Sequence, residues 1–287
     1  MLNYEFPIDD ISGLKTYEYG DVKIIFDQIS HHSSLEFNFP QGGCQQRSHL
    51  ISMILAKSNI EHCKIWLFSP AALYDFDQRS LFVADTNQLS PDNIIYWNYH
   101  TAPLVKIQLG DKVEKFVIDP SLNREQPLTI IDWLKCMGNS EICKYTFLLP
   151  EKYFFNCKYN DNSQLTNVFD GSFFEYVNPA KDNLVLEKGL AVNDMAMIIY
   201  HKYIKPLMYN GNANESVRLF DLKEIFGNAT ALDLIFSLNL SGNTDNTSLR
   251  YVMAKYGDIV NEAKQIFNEK LLYWTRFTNK LLSDSNM

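Results

Sequence analysis

The chain has 287 residues, 46% of them hydrophobic and 14% aromatic, so it is long and apolar enough to bury a substantial core. The formal net charge of −8 argues against nucleic acid as a partner, because phosphate binding requires a surface rich in lysine and arginine. Five cysteines without a Cys-x-x-Cys pair argue against a disulfide framework and against a four-thiolate zinc site.

Two features of the sequence bear on membranes and export. No run of about 18 apolar residues is present, so we expect no membrane-spanning helix. Residues 1–7 lack the basic and apolar regions of a secretory signal peptide. We therefore expect a cytoplasmic protein as the chain is given, with secretion or delivery as an effector as the alternative.

The first 40 residues carry strand and turn signals. Residues 22–26 form a β-prone run, and residues 35–39 alternate apolar and polar side chains as a half-buried strand does. A glycine turn at residues 41–43 follows. From Cys44 onward apolar residues recur at helical spacing, which predicts a helix ending near residues 57–59.

A hairpin is the next element that the sequence predicts clearly. Residues 102–109 and 113–118 have strand character, and Gly110-Asp111 between them favours a tight turn. Upstream, residues 63–68 are typical of a buried strand. Residues 70–94 are polar and irregular, which indicates a surface segment.

Helical periodicity dominates the C-terminal part. After a short predicted helix at residues 129–137, helices are expected over residues 190–207, 216–226, 229–238 and 249–282. Residues 209–212 and 241–244 are natural loops. We therefore predict an α+β protein with a catalytic-type domain over residues 1–180 and a helical region over residues 181–287.

Cys44 is the first residue with a chemical role to consider. A helix N-terminus presents unpaired N–H groups and a partial positive charge, which favour thiolate over thiol. Gly43 beside it has no side chain, so a substrate backbone can approach closely and Gly43 is a candidate substrate contact. The alternative is an inert, buried cysteine at a helix start, and position alone does not decide between the two.

A thiolate nucleophile needs a base that also returns a proton to the leaving group. Of the six histidines, His100 leads directly into the strand at residues 102–109. Asp119 closes the second strand of the hairpin, so His100 and Asp119 are expected to be neighbours across the ladder. Asp119 then fixes the histidine tautomer, unless it is a plain turn aspartate before proline. Trp97 and Tyr99 either line a substrate cleft or pack beneath His100.

Three sequence blocks resemble a known family. They are Gly-Cys-Gln-Gln-Arg-Ser-His at residues 43–49, Trp-Asn-Tyr-His-Thr-Ala-Pro-Leu-Val at residues 97–105 and Val-Ile-Asp-Pro-Ser-Leu at residues 117–122. Together with Pro127 and Trp133, they look like the signature blocks of the bacterial protein-glutamine glutaminases. The resemblance spans about residues 35–170.

The resemblance implies a fold, a set of catalytic residues and a reaction. The implied core is similar to that of transglutaminases and, more distantly, of papain-like proteases, with a central antiparallel sheet and the nucleophile at a helix N-terminus. Cys44 is the implied nucleophile, His100 the acid/base and Asp119 the residue that orients it. The implied substrate is a protein or peptide with an accessible glutamine, and no metal or organic cofactor is expected.

Several reactions begin in the same way on such a core. Hydrolysis of the thioester by water gives deamidation, attack by an amine gives a transglutaminase, and a peptide leaving group gives a cysteine peptidase. A non-catalytic scaffold whose helical part binds a partner is a further alternative. The family resemblance favours deamidation of glutamine side chains.

Overall fold

One long central strand organises the main sheet. The computed structural model describes residues 8–32, 35–39, 41–74, 76–90, 92–154, 168–170, 184–209, 213–236 and 247–283. The strands are β1 (Thr16–Glu18), β2 (Cys63–Phe68), β3 (Leu81–Ala84), β4 (Ile94–Trp97), β5 (Tyr99–Leu109), β6 (Lys112–Val117), β7 (Leu128–Thr129), β8 (Lys144–Leu148), β9 (Lys152–Phe154) and β10 (Val168–Asp170). The main sheet has the order β7-β6-β5-β2-β8, with antiparallel neighbours throughout, and β1 pairs in parallel with the second half of β5.

Helices cover the sheet and form most of the C-terminal part. They are α1 (Tyr19–Ser30), α2 (Cys44–Lys57), α3 (Pro70–Leu73), α4 (Ile130–Lys135), α5 (Val185–Ile199), α6 (Ala213–Phe226), α7 (Ala229–Phe236), α8 (Thr247–Lys255) and α9 (Gly257–Ser283). A π-helical turn (Tyr200–Ile204) and a 3-10 turn (Lys205–Tyr209) extend α5, and another 3-10 turn lies at Ser140–Ile142. Among the helices of the described ranges, none is both long and apolar enough to cross a membrane.

The α+β class is confirmed, with Cys44 as the first residue of α2 and a helical C-terminal part. The predicted hairpin is also confirmed, since Leu109 pairs with Lys112 across a turn in which Gly110 has a φ of 58°. That positive φ favours glycine, which explains the turn signal in the sequence. The buried strand expected at residues 63–68 is β2.

Two predictions for the first 40 residues are wrong. Residues 22–26 lie inside α1, where Val22, Phe26 and Ile29 are buried at helical spacing while Ile24 is 60% exposed. Their branched side chains suggested a strand, but burial on one helical face decides the conformation. Residues 35–39 alternate in burial as predicted, yet they are not part of a strand.

Two further segments differ from expectation. Residues 70–94 are not wholly irregular, because they contain α3 and β3, and β3 pairs with β4 through a ladder that includes Leu81 opposite Trp97. The long helix predicted over residues 249–282 is divided into α8 and α9 near Gly257, a residue with low helix propensity. The loop predicted at residues 241–244 lies outside the described residues.

The larger hydrophobic core joins the sheet to the C-terminal helices. Leu50 and Ile51 of α2 belong to the same buried cluster as Met195, Ala196 and Ile199 of α5. The boundary predicted between residues 180 and 181 lies outside the described residues, so the division into two domains stays a prediction. The shared cluster indicates that α5 and α9 help to form the core on which α2 rests.

A fragment of residues 1–180 is therefore expected to be insoluble or to unfold without a cooperative transition. Each large apolar side chain that loses its cover costs about 1.5–3 kcal/mol, whereas a whole domain is stable by only about 5–15 kcal/mol. Solubility and thermal unfolding by circular dichroism, measured beside the full chain, test this expectation. A fragment that unfolds cooperatively at the temperature of the full chain would show that the helices are accessory.

Candidate active site

The Cys44 thiol lies at the N-terminus of α2. Gly43 caps this helix in the left-handed conformation, with a φ of 76°, and the first intrahelical bond runs from the Arg47 N–H to the Gly43 carbonyl. The N–H groups of the three preceding residues therefore have no partner within the helix. Cys44 itself is partly exposed. A reacting group at this thiol meets the positive end of the helix dipole.

The structure brings His100 and Asp119 together. The His100 Nε2 lies 2.8 Å from the Asp119 Oδ2, and both side chains are buried. His100 is the second residue of β5, and Asp119 is the second residue after β6. Between β6 and Asp119, the Ile118 N–H donates to the Pro103 carbonyl of β5 at 2.8 Å, which continues the pairing of the two strands. The hairpin predicted from the sequence thus places the two groups within hydrogen-bond distance.

The Asp119 carboxylate accepts hydrogen bonds from two further side chains. The Trp133 Nε1–H donates to Oδ2 at 2.8 Å, and the Ser121 hydroxyl donates to Oδ1. The Ser121 backbone N–H also donates to Oδ1, at 3.2 Å. These donors hold the carboxylate in one orientation and compensate for its removal from water.

Two tryptophans enclose the imidazole of His100. Trp97 stacks on it with a centroid distance of 4.6 Å and an interplanar angle of 9°. Trp133 lies at 5.7 Å with an angle of 22°. The ring is thus held by stacking on both tryptophans and by Asp119 at Nε2. Its Nδ1 is buried and has no hydrogen-bond partner within the described part of the chain.

The electrostatics of the pair favour an imidazolium beside a carboxylate. Burial alone would lower the pKa of His100, but the charge and hydrogen bond of Asp119 and the interaction with the Cys44 thiol outweigh burial and raise it to about 9. Burial would raise the pKa of Asp119, but the charge and hydrogen bond of His100, with the hydrogen bonds of Ser121 and Trp133, lower it to about 2. Near neutral pH, Nδ1 therefore holds a proton that faces the thiol.

Arg47 places a buried positive charge beside these groups. Its Nη1 donates to the Phe39 carbonyl at 3.1 Å, which supports the segment before α2. Its Nη2 is buried without a hydrogen-bond partner in the part of the protein that the structure describes. Burial lowers the pKa of Arg47, and the negative charges of Cys44 and Asp119 oppose that effect. A small cavity of about 10 Å³, room for about one water molecule, is lined by Arg47, Cys44, His100 and Asp119.

The predicted substrate contacts occupy three different positions. Trp97 is only 7% exposed and packs on His100, whereas Tyr99 is partly exposed and its hydroxyl donates to the Gln45 Oε1 at 2.6 Å. A Cβ on Gly43 would lie 2.4 Å from the Asn193 Nδ2 of α5, so a C-terminal helix occupies that side of the glycine. Contact of these residues with a substrate stays a prediction.

Comparisons with known proteins bear on the family. Residues 22–137 match the family model described as glutaminase, and this segment contains Cys44, His100, Asp119 and Trp133. The match covers less than half of the chain, in the part that holds the candidate site. The predicted resemblance to protein-glutamine glutaminases is confirmed, and the match supports an amidohydrolase of the glutaminase kind. No curated protein matches the sequence.

Several solved structures are similar to part of the chain at low identity. A protein-glutaminase from Chryseobacterium proteolyticum is 20% identical, with 60% of this chain and 87% of that chain covered and a TM-score of 0.43. A crystal structure of protein-glutaminase gives 20% identity, 60% and 86% coverage and a TM-score of 0.43. For a pro-protein-glutaminase the identity is 20%, the coverage 64% of this chain and 62% of that chain, and the TM-score 0.44.

The ion pair between His100 and Asp119 can be tested without a substrate. In the wild type, His100 should titrate near pH 9, because Asp119 holds the proton on the ring. Asp119→Asn removes the charge and leaves burial in place, so the pKa of His100 should fall by more than about one unit. NMR titration of the imidazole nitrogens measures this shift. Asp132→Asn, which removes an exposed carboxylate of α4, is the matched control and should leave His100 unchanged. A wild-type His100 that titrates near about 6.5 would contradict the ion pair.

Proposed function

We propose that this protein hydrolyses the side-chain carboxamide of glutamine residues in proteins and releases ammonia. In this proposal Cys44 is the nucleophile, His100 the acid/base and Asp119 the residue that orients His100. One observation carries it: a buried imidazole is bound at Nε2 by Asp119 and enclosed by two tryptophans, so only Nδ1 is left for the thiol at the start of α2.

In acylation, a C–S bond replaces the C–N bond of the carboxamide and one proton moves from His100 to the leaving nitrogen. The cycle begins with the proton on Nδ1 of His100 and Cys44 as a thiolate, whose sulfur attacks the carboxamide carbon. The C–N bond then breaks, the nitrogen receives the proton from Nδ1 and ammonia departs. A thioester between Cys44 and the glutamyl side chain remains.

Deacylation reverses the proton path with water as the nucleophile. Nδ1 of His100 takes a proton from water as the oxygen attacks the thioester carbon. The C–S bond breaks, a glutamate side chain is released and the thiolate–imidazolium pair is restored. The net reaction consumes one water and releases one ammonia.

Two fixed features of the protein stabilise charge along this path. The N–H groups of the first turn of α2 are available to the oxyanion that forms on the carboxamide oxygen, as donors that need no rearrangement. When thiolate, imidazolium and carboxylate are all charged, the three groups carry one net negative charge. The buried guanidinium of Arg47 balances that charge.

Product analysis with casein as a glutamine-rich substrate tests the proposed reaction. We expect ammonia together with conversion of glutamine to glutamate in the recovered peptides, without new N-termini and without cross-links. New N-termini would instead indicate a peptidase, and cross-links a transglutaminase. Unchanged casein, together with unchanged short glutamine peptides, would contradict the proposal and favour a non-catalytic scaffold.

A further inference from the structure

Gln45, which follows Cys44 in α2, has a side-chain oxygen in contact with two polar side chains, and the proposed reaction does not use it. The Cys44 thiol donates to the Gln45 Oε1 at 3.7 Å, and the Tyr99 hydroxyl donates to the same oxygen at 2.6 Å. With Cys44 protonated, the thiol and the hydroxyl both donate, so the Gln45 carboxamide presents its oxygen rather than its NH₂ group to them. A carboxamide oxygen is therefore held against the sulfur that the proposed reaction uses.

The position of this oxygen is set by the sheet rather than by a mobile side chain. The ring of Tyr99 lies 5.7 Å from that of Trp66 and 6.2 Å from that of Phe68. Trp66 and Phe68 are fully buried in β2. Because these rings fix the tyrosine, its hydroxyl is a stationary anchor for Gln45.

Acylation changes what the Gln45 oxygen can accept. While Cys44 is a thiol, one lone pair of this oxygen takes the Tyr99 hydroxyl and the other faces the thiol proton. In the attacking state the proton is on His100, and the second lone pair then has no donor. The nitrogen of an attacked carboxamide is bonded to the same carbon as the sulfur, so its N–H lies within reach of an acceptor 3.7 Å from the sulfur.

We propose that Gln45, held by Tyr99, is a specificity-determining residue that accepts a hydrogen bond from the NH₂ group of the substrate carboxamide. This inference rests on the proposed deamidase function and names the feature of the substrate that is recognised. One N–H of the leaving nitrogen is bound by Gln45 while His100 supplies the proton that completes ammonia. The site thereby favours a primary carboxamide over a carbonyl compound whose leaving group carries no N–H.

A pair of substrates that differ only in the leaving group tests this recognition. One is a blocked glutamine peptide, and the other is the γ-methyl ester of the corresponding glutamate peptide. Both give the same thioester, so their kcat/KM values differ only in the steps up to release of ammonia or methanol. Gln45→Met keeps an unbranched side chain of similar length and removes the acceptor.

We expect Gln45→Met to lose about tenfold or more in kcat/KM on the carboxamide and less than about threefold on the ester. Tyr99→Phe should shift the ratio in the same direction by a smaller factor, because Gln45 keeps its oxygen but loses the anchor. Tyr96→Phe removes a hydroxyl from the exposed side chain of the neighbouring strand β4 and is the matched control, with an unchanged ratio. Thermal unfolding of each variant checks that the fold is retained, and Tyr99→Phe decides the matter if Gln45→Met does not fold.

The outcomes separate this inference from the function on which it rests. Wild-type hydrolysis of the carboxamide with a selective loss in Gln45→Met supports both. Wild-type activity with equal losses on amide and ester overturns the recognition role alone and leaves a structural one. A wild type that cleaves only the ester, or neither compound, overturns the proposed deamidation and the recognition role with it.

Discussion

Replacing Cys44 with alanine is expected to lower ammonia release from a glutamine-rich protein by at least about 10⁴-fold, because no other group on the first turn of α2 can form the thioester. The fold should survive, since Cys44 is only partly buried and alanine is the best helix former. Activity and thermal unfolding measured on the same preparation check both parts of the prediction.

Cys136→Ala is the matched control for this substitution. Cys136 is the exposed thiol that follows α4, and its change to alanine removes a sulfur without touching the site. Full activity is expected for this variant. Substantial ammonia release by folded Cys44→Ala would mean that the nucleophile lies elsewhere.

His100→Ala should reduce activity by a similar factor, because neither acylation nor deacylation can then transfer its proton. This variant is also expected to be less stable than the wild type by about 3–5 kcal/mol, since it leaves the buried Asp119 carboxylate without its cationic partner. Chemical denaturation and ammonia release measure the two effects. Added imidazole should recover part of the activity, because the substitution removes a buried ring that stacks on Trp97 and Trp133 and leaves space of that size.

His201→Ala controls for the loss of a histidine at an exposed position near the end of α5. Its activity and stability should both remain those of the wild type. A His100→Ala protein that is destabilised yet turns over at the wild-type rate would restrict His100 to a structural role.

Parts of the fold could be predicted because local and long-range forces agree there. In the hairpin, strand-forming residues flank a turn that needs a positive φ at Gly110, and the pairing follows from the turn alone. In α1 the two disagree. Its branched residues favour a strand. The helix is stabilised instead by burial of Val22, Phe26 and Ile29 on one face, and this burial exists only in the folded protein.

The candidate site divides in the same way. The approach of His100 to Asp119 follows from the hairpin register, and Cys44 at a helix start follows from the periodicity after Gly43. Contacts between separate elements could not be predicted from the sequence. The hydrogen bond from the Trp133 N–H to Asp119, for example, depends on how α4 packs against the sheet. The contact of Tyr99 with Gln45 likewise depends on the position of α2 over β5, which no local pattern encodes.

The measurement that tests the central claim most directly is alkylation of the native protein by iodoacetamide, followed in parallel with ammonia release from casein. Peptide mapping by mass spectrometry identifies which of the five cysteines is modified at each time point. We predict that Cys44 reacts first and that activity falls in proportion to its modification. Full activity after complete alkylation of Cys44, or loss of activity that follows another cysteine, would contradict the account.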